Sequence, residues 1–131
     1  MTITAEAPRG GVVDQIGGVT YTLILRNGQI ERFEDKHRGI FDLWDGFFDR
    51  GVKPTSTEVK DIVALALVGG GLTDTKADRV VSEGGTENLL HFYQLAQAIL
   101  GVAFMPDVFD DPVVKKKINQ DENPSVLVSE K

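Results

Sequence analysis

The stretch Thr55-Ser-Thr-Glu-Val-Lys-Asp-Ile-Val-Ala-Leu-Ala-Leu67 predicts a helix with a sharply defined start. Thr55 and Glu58 have the spacing of a capping box, in which a hydroxyl and a carboxylate each accept a hydrogen bond from a free backbone N–H group. The run Ile62–Val68 in the second half of the helix is apolar on every side, which indicates either burial or contact with another molecule. Gly69-Gly-Gly71 ends the helix.

Towards the N-terminus, two β-prone runs flank a pair of glycines. The runs are Val12–Ile16 and Val19–Leu25, and Gly17-Gly18 separates them. Tight hairpin turns need positive φ angles, which glycine adopts readily, so this pattern predicts a β-hairpin. Because an isolated two-stranded hairpin is marginal in water, we expect its apolar face to pack on helices.

Apolar residues at helical spacing predict four further helices. The longest, from Glu87 to about Phe104, is apolar over most of its circumference and is expected to be the central helix. The others are expected at about Gln29–His37 with Asn27 as a cap, between Ile40 and Gly51, and from Thr73 onward. The predicted fold is therefore α+β and mostly α, with an N-terminal two-stranded hairpin packed on about five helices.

The 131 residues have the usual length of one domain. Residues 1–10 lack a regular pattern and are expected to form a flexible N-terminus. Residues 11–104 carry all the predicted elements and are expected to form one globular domain. From Met105 onward charges and breakers follow without periodicity, so residues 105–131 are expected to form a flexible tail, with one helical turn near Val113.

Composition excludes several classes of function. The chain has 14 basic and 20 acidic side chains, a net charge of −6, which disfavours binding to the phosphate backbone of a nucleic acid. It has no cysteine, which excludes disulfides and thiol catalysis. Its longest apolar run is too short to span a membrane, and its N-terminus does not match a secretory signal. We therefore expect a cytoplasmic protein.

No sequence motif predicts catalysis or a bound cofactor or metal. Gly69–Thr73 lacks the lysine and hydroxyl residue of a phosphate-binding loop and follows a helix instead of a strand. His37 and His91, the two histidines, lie in different contexts without metal-ligand spacing, and we interpret them as surface residues. The sequence therefore indicates a protein that is not an enzyme.

The most suggestive polar feature is a row of aspartates on one face of a predicted helix. Paired carboxylates can perform acid–base chemistry or hold a hard cation, but no further ligand lies at a usable spacing. We interpret the row as a solvated helix face or, if it is functional, as an acidic docking strip for a basic partner segment. Aromatic residues at the edges of the apolar face would complete a protein-binding surface. The candidate partner-binding residues are Phe41, Asp42, Asp45, Phe48 and Asp49.

Short stretches spread over most of the chain form a pattern that resembles a known family. They are Gly11-Val-Val13, Thr20-Tyr-Thr-Leu23, the helix start at Asn27-Gly28, Ile40-Phe-Asp-Leu-Trp-Asp-Gly46, the Thr55–Leu67 stretch, Gly71-Leu-Thr-Asp74 and Gly84-Gly85. The pattern resembles the tail assembly chaperones of gene transfer agents and of related tailed bacteriophages of alphaproteobacteria. The resemblance covers roughly residues 10–104.

This resemblance implies a protein that binds the tape measure protein, keeps its long hydrophobic helices soluble and brings tail-tube subunits to it. Such chaperones are absent from the finished particle. Two alternatives stay open at this point. One is a structural component of a phage-like particle, such as a head–tail connector or a tail terminator, and the other is a small enzyme subunit, which the missing motifs disfavour.

Overall fold

The computed structural model describes residues 7–110, which form a short hairpin and a set of helices and confirm the predicted mostly helical α+β fold. The strands are β1 (Gly11–Ile16) and β2 (Val19–Ile24). The helices are α1 (Asn27–Lys36), α2 (Ile40–Phe48), α3 (Ser56–Gly69), α4 (Asp74–Ser82), α5 (Leu89–Phe104) and α6 (Pro106–Asp110), with a 3-10 turn at Thr86–Asn88 before α5.

The hairpin is antiparallel and has the predicted turn. Gly11 pairs with Ile24 at its open end, and Ile16 pairs with Val19 next to the turn. Gly17 has a φ angle of 61°, and Gly18, the second turn glycine, also has a positive φ. The end of β2 is buried against the helices, as expected for a hairpin that is not stable alone.

Helix α3 lies at the centre of the fold. It packs against β2, α1, α4 and α5, and every side chain from Ile62 to Leu67 is buried. The sequence analysis placed the Glu87–Phe104 helix at the centre, but that helix begins only at Leu89 and leaves Leu90 exposed. The apolar run of α3 is therefore covered by the domain itself, and of the two explanations offered for it, burial is confirmed.

The two glycines at the C-terminal end of α3, Gly69 and Gly70, do more than end the helix. A Cβ atom added at Gly69 would clash with the carbonyl oxygen of Ile24, and one added at Gly70 would clash with that of Thr22. Glycine therefore lets the end of α3 lie directly against the backbone of β2. The sequence analysis predicted the helix end correctly but missed this packing role.

The predicted capping box of α3 is present. The backbone N–H of Glu58 donates to the Thr55 hydroxyl at 3.1 Å, and the backbone N–H of Thr55 donates to the Glu58 carboxylate at 2.9 Å. The predicted cap at Asn27 is wrong, because α1 already includes Asn27 and its N-cap is Arg26. The backbone N–H of Arg26 donates to the side chain of Gln29 at 3.0 Å.

A short helix follows α5 where the sequence analysis assigned no regular element. This helix, α6, packs against α5, and its Asp107 forms an ion pair with Arg9 near the start of the described chain. The helical turn expected near Val113 and most of the predicted tail lie outside the described residues. None of the helices within residues 7–110 combines the length and apolar character needed to cross a membrane.

Candidate functional site

Helix α2 carries three parallel rows of side chains. With 3.6 residues per turn, positions i, i+3 and i+7 lie along one edge of a helix. The buried row is Ile40, Leu43 and Phe47. The aromatic row is Phe41, Trp44 and Phe48, and the acidic row, one residue further along the chain, is Asp42, Asp45 and Asp49.

The aromatic row reaches solvent and continues onto α5. Phe41 is 71% exposed and Phe48 is 42% exposed. The ring of Trp44 stacks on that of Phe104 with centroids 5.3 Å apart, and it lies 4.3 Å from the ring of Phe48. Phe41 approaches Phe104 to 5.7 Å. We name these four residues the aromatic patch.

The buried side of α2 fixes the patch to the rest of the domain. The ring of Phe47 lies 5.1 Å from that of Tyr93 on α5. The side-chain amide of Gln97, one turn further along α5, donates to the backbone carbonyl of Phe47 at 3.3 Å. The aromatic patch is therefore displayed by a packed helix, so its geometry is set before any partner binds.

The acidic row is solvated. Asp42, Asp45 and Asp49 are all exposed, and within residues 7–110 none of their carboxylates takes part in a hydrogen bond or an ion pair. No group of three or more acidic or histidine side chains in this part of the chain is arranged to hold a metal ion. The three carboxylates of the row can therefore form ion pairs with basic side chains of a partner.

A partly buried arginine, Arg38, holds the loop beside the acidic row. The guanidinium of Arg38 donates to both carboxylate oxygens of Glu58, at 2.8 and 3.1 Å, and to the backbone carbonyl of Val52 at 3.0 Å. A Cβ atom at Gly46 would clash with that same carbonyl. The loop between α2 and α3 can therefore lie against the helix only because residue 46 is glycine.

The Arg38–Glu58 pair also changes the pKa of the Glu58 carboxyl group. Burial raises the pKa of Glu58, but the hydrogen bonds from Arg38 and from the Thr55 backbone, together with the charge of Arg38, outweigh it and hold the pKa below its ordinary value. Glu58 therefore stays ionised and joins the loop, α2 and α3. Sequence reasoning found its capping role but missed Arg38, which lies 20 residues away.

Comparison with protein families supplies the biological context. A family profile described as "Phage tail tube protein, GTA-gp10" matches residues 9–106 of this chain. The chain belongs to this family. Comparisons with curated proteins and with solved structures found no match.

The family membership confirms the resemblance to tail proteins of phages and gene transfer agents, but it does not identify the protein as a tail assembly chaperone. The protein belongs to a tail family of phages and gene transfer agents, and this family is not a family of enzymes. The description names a tail tube protein, not an assembly chaperone. The matched residues include α2, α5 and thus the whole aromatic patch and acidic row.

The two histidines of this tail-family protein lie apart from the aromatic patch. His37 was predicted to be a surface residue, but only 14% of its side chain is exposed, and its Nε2 lies 2.6 Å from a carboxylate oxygen of Asp61. Its ring also packs on Phe33 at 4.7 Å, so it links α1 to α3. His91 is 44% exposed and lies 3.4 Å from Asp14, in agreement with the prediction.

Proposed function

We propose that this protein is an assembly chaperone of a phage-like tail, which binds the tape measure protein and recruits tail-tube subunits to it. Membership of a tail family supports a role in tail structure or assembly. The observation that carries the finer proposal is the aromatic patch beside a row of carboxylates that have no partner within residues 7–110. This surface is suited to holding an apolar segment that carries basic residues.

The aromatic patch has the composition of a protein-binding surface. Aromatic side chains are enriched at the centres of interfaces, where a few of them supply most of the binding energy. Two of the other exposed large apolar residues within residues 7–110, Met105 and Val108, follow Phe104 closely in the chain. The rest, Val19, Val52 and Leu90, are single exposed residues far apart in the chain, and residues of this kind are ordinary. The apolar run of α3 is buried, so α2 is the element left to meet a partner.

The acidic row gives the patch a preference among partners. Three exposed carboxylates within two turns of helix, on a chain with a net charge of −6, attract basic segments and repel acidic ones. Solvent-exposed charges are screened at high salt, since the Debye length falls to about 3 Å at 1 M. Binding through this surface is therefore expected to weaken as salt is added.

A second candidate is a tail-tube subunit, which the name of the matched family favours. In that case the aromatic patch would form contacts between neighbouring copies in the tube, and the protein would remain in the finished particle. A chaperone would leave the particle during assembly. Detection of stoichiometric amounts of this chain in purified particles would therefore favour the tube subunit.

Co-expression with the tape measure protein from the same gene cluster tests the chaperone proposal. The full chain should raise the soluble yield of that partner and co-purify with it at low salt. Phe41→Asp and Phe48→Asp should each weaken binding by about tenfold or more, as loss of an interface anchor does. Circular dichroism should stay native-like, because both residues are exposed.

Leu90→Asp is the matched control, because Leu90 is 66% exposed but lies about 21 Å along α5 from Phe104. It should bind normally. Replacing Asp42, Asp45 and Asp49 by Asn should slow association at low salt and leave binding at high salt nearly unchanged. If the tape measure protein is equally soluble alone and no complex forms at low salt, the chaperone proposal fails.

A further inference from the structure

We propose that the aromatic patch and the acidic row bind a segment of the same chain, Val113-Val-Lys-Lys-Lys-Ile118, when no partner is present. This inference goes beyond the proposed function, because it concerns the free protein and needs no second molecule. The segment would act as a built-in competitor that covers exposed aromatic surface until a partner displaces it.

The position of the segment in the chain brings it to this surface. Phe104, the last residue of α5, is itself a member of the aromatic patch. Helix α6 follows at once and ends at Asp110. Lys117 lies seven positions beyond Asp110, and seven residues of extended chain span at most about 25 Å. Helix α2 is about 14 Å long, and its Phe41 and Trp44 contact Phe104, so the segment follows the patch closely in the chain and is long enough to match the helix.

The chemistry of the segment is complementary to the surface. Three consecutive lysines match three carboxylates that have no partner within residues 7–110. The lysines are flanked by Val113, Val114 and Ile118, which supply aliphatic contacts for the aromatic rings, and lysine ammonium groups also bind aromatic faces directly.

The described cations near the acidic row do not neutralise it. Arg38 directs its guanidinium at Glu58 and at backbone carbonyls, including that of Asp42. Lys53 lines the cleft beside Asp42 and Asp45, and Arg50 directly follows Asp49. Neither forms an ion pair with the acidic row in the part of the chain that the structure describes. The row therefore keeps an uncompensated negative charge that the nearby lysine segment can satisfy.

The fluorescence of Trp44 can report whether the aromatic patch is covered, because Trp44 is the only tryptophan of the chain and lies in the patch. Acrylamide quenching of its fluorescence in the full chain reports how well the patch is covered. Changing Lys115, Lys116 and Lys117 together to Glu should shift the equilibrium between covered and open patch about tenfold towards open, as expected for three exposed ion pairs. Quenching should rise accordingly.

The matched control keeps the net charge and moves the lysines. In this variant Lys115, Lys116 and Lys117 become Ser, and Asn123, Ser125 and Ser129 become Lys. Quenching should rise as in the glutamate variant, because the positive charges no longer lie at the proposed position. Raising the salt concentration from about 0.01 M to about 1 M should increase quenching in the unmodified chain and little in either variant.

Two results would overturn the inference. In one, the unmodified chain and both variants show the same quenching at low salt. In the other, the protection of Trp44 increases with protein concentration, which would mean that a second copy covers the patch. Neither result bears on the tape measure protein, since the measurement uses the free chain. Failure of this inference is therefore distinguishable from failure of the proposed function.

Discussion

Helix α2 and the second half of α3 are both rich in apolar residues, but they differ in how far those residues are buried. Each is apolar over more than one face, and from the sequence each was a candidate for contact with another molecule. In the structure every side chain of Ile62–Leu67 is buried, whereas Phe41 and Phe48 on α2 reach solvent. Apolar content alone therefore did not identify the exposed surface.

The two helices differ in burial because more elements of the fold pack around α3 than around α2. Helix α3 is surrounded by β2, α1, α4 and α5, so its apolar circumference is matched by elements on all sides. Helix α2 is held by its Phe47 side against Tyr93 and Gln97, and its opposite side faces solvent. An apolar residue is therefore a candidate for binding a partner only where no other element of the fold covers it. Substitutions in α2 and α3 can test this difference between the two helices.

The largest effect is expected from shortening a side chain of α3. Leu67 is completely buried, so Leu67→Ala should lower the free energy of unfolding by about 2–5 kcal/mol through lost apolar burial and a cavity. Phe41→Ala on α2 removes a larger side chain that is mostly exposed, and it should change stability by less than about 1 kcal/mol. Urea unfolding followed by circular dichroism measures both. Equal losses would contradict the contrast between the two helices.

A smaller loss is expected where α3 meets the hairpin. Gly70→Ala places a methyl group against the carbonyl oxygen of Thr22 and should destabilise the fold by about 1–3 kcal/mol, because packed backbones must separate. Gly28→Ala in α1 is the matched control. A Cβ atom there meets nothing within 4 Å, so this change should stabilise the helix by up to about 1 kcal/mol. A neutral Gly70→Ala would show that β2 and α3 do not pack so closely.

The smallest effect concerns the ion pair that joins the α2–α3 loop to α3, and it depends on pH. The pKa of Glu58 is lowered in the fold from its ordinary value of 4.5. Its ionised form therefore stabilises the protein above that value, and this contribution is lost as the pH falls through the lowered pKa. At pH 7, Glu58→Gln should cost about 1–2 kcal/mol, since the partly buried Arg38 loses its charged partner.

Unfolding curves of the Glu58→Gln variant and the unmodified chain at pH 3 to 7 provide the measurement. The stability difference should be constant above about pH 5 and should shrink below pH 4.5. Glu83→Gln serves as the control, because Glu83 is exposed and should show no such dependence. A difference that stays constant down to pH 3 would show that folding does not lower the pKa of Glu58.

Local patterns determined much of this molecule. The glycine pair fixed the hairpin turn because only that residue type adopts two positive φ angles without strain. The Thr55–Glu58 spacing fixed the start of α3, and the spacing of apolar residues on α2 predicted that Phe41 and Phe48 lie at the edge of the buried face. Each of these signals depends on residues within a few positions of one another, so the sequence by itself was sufficient.

Contacts between distant residues were decided only by the tertiary structure. Phe104 joins the aromatic patch from 60 residues beyond Trp44, Arg38 meets Glu58 across 20 residues, and the backbone of β2 fills the space left by Gly70. No local spacing encodes such pairs, because they depend on how whole elements pack. For the same reason the sequence could show that α2 and α3 are both rich in apolar residues, but only the tertiary structure shows that four neighbouring elements bury the apolar run of α3 while Phe41 and Phe48 of α2 stay exposed.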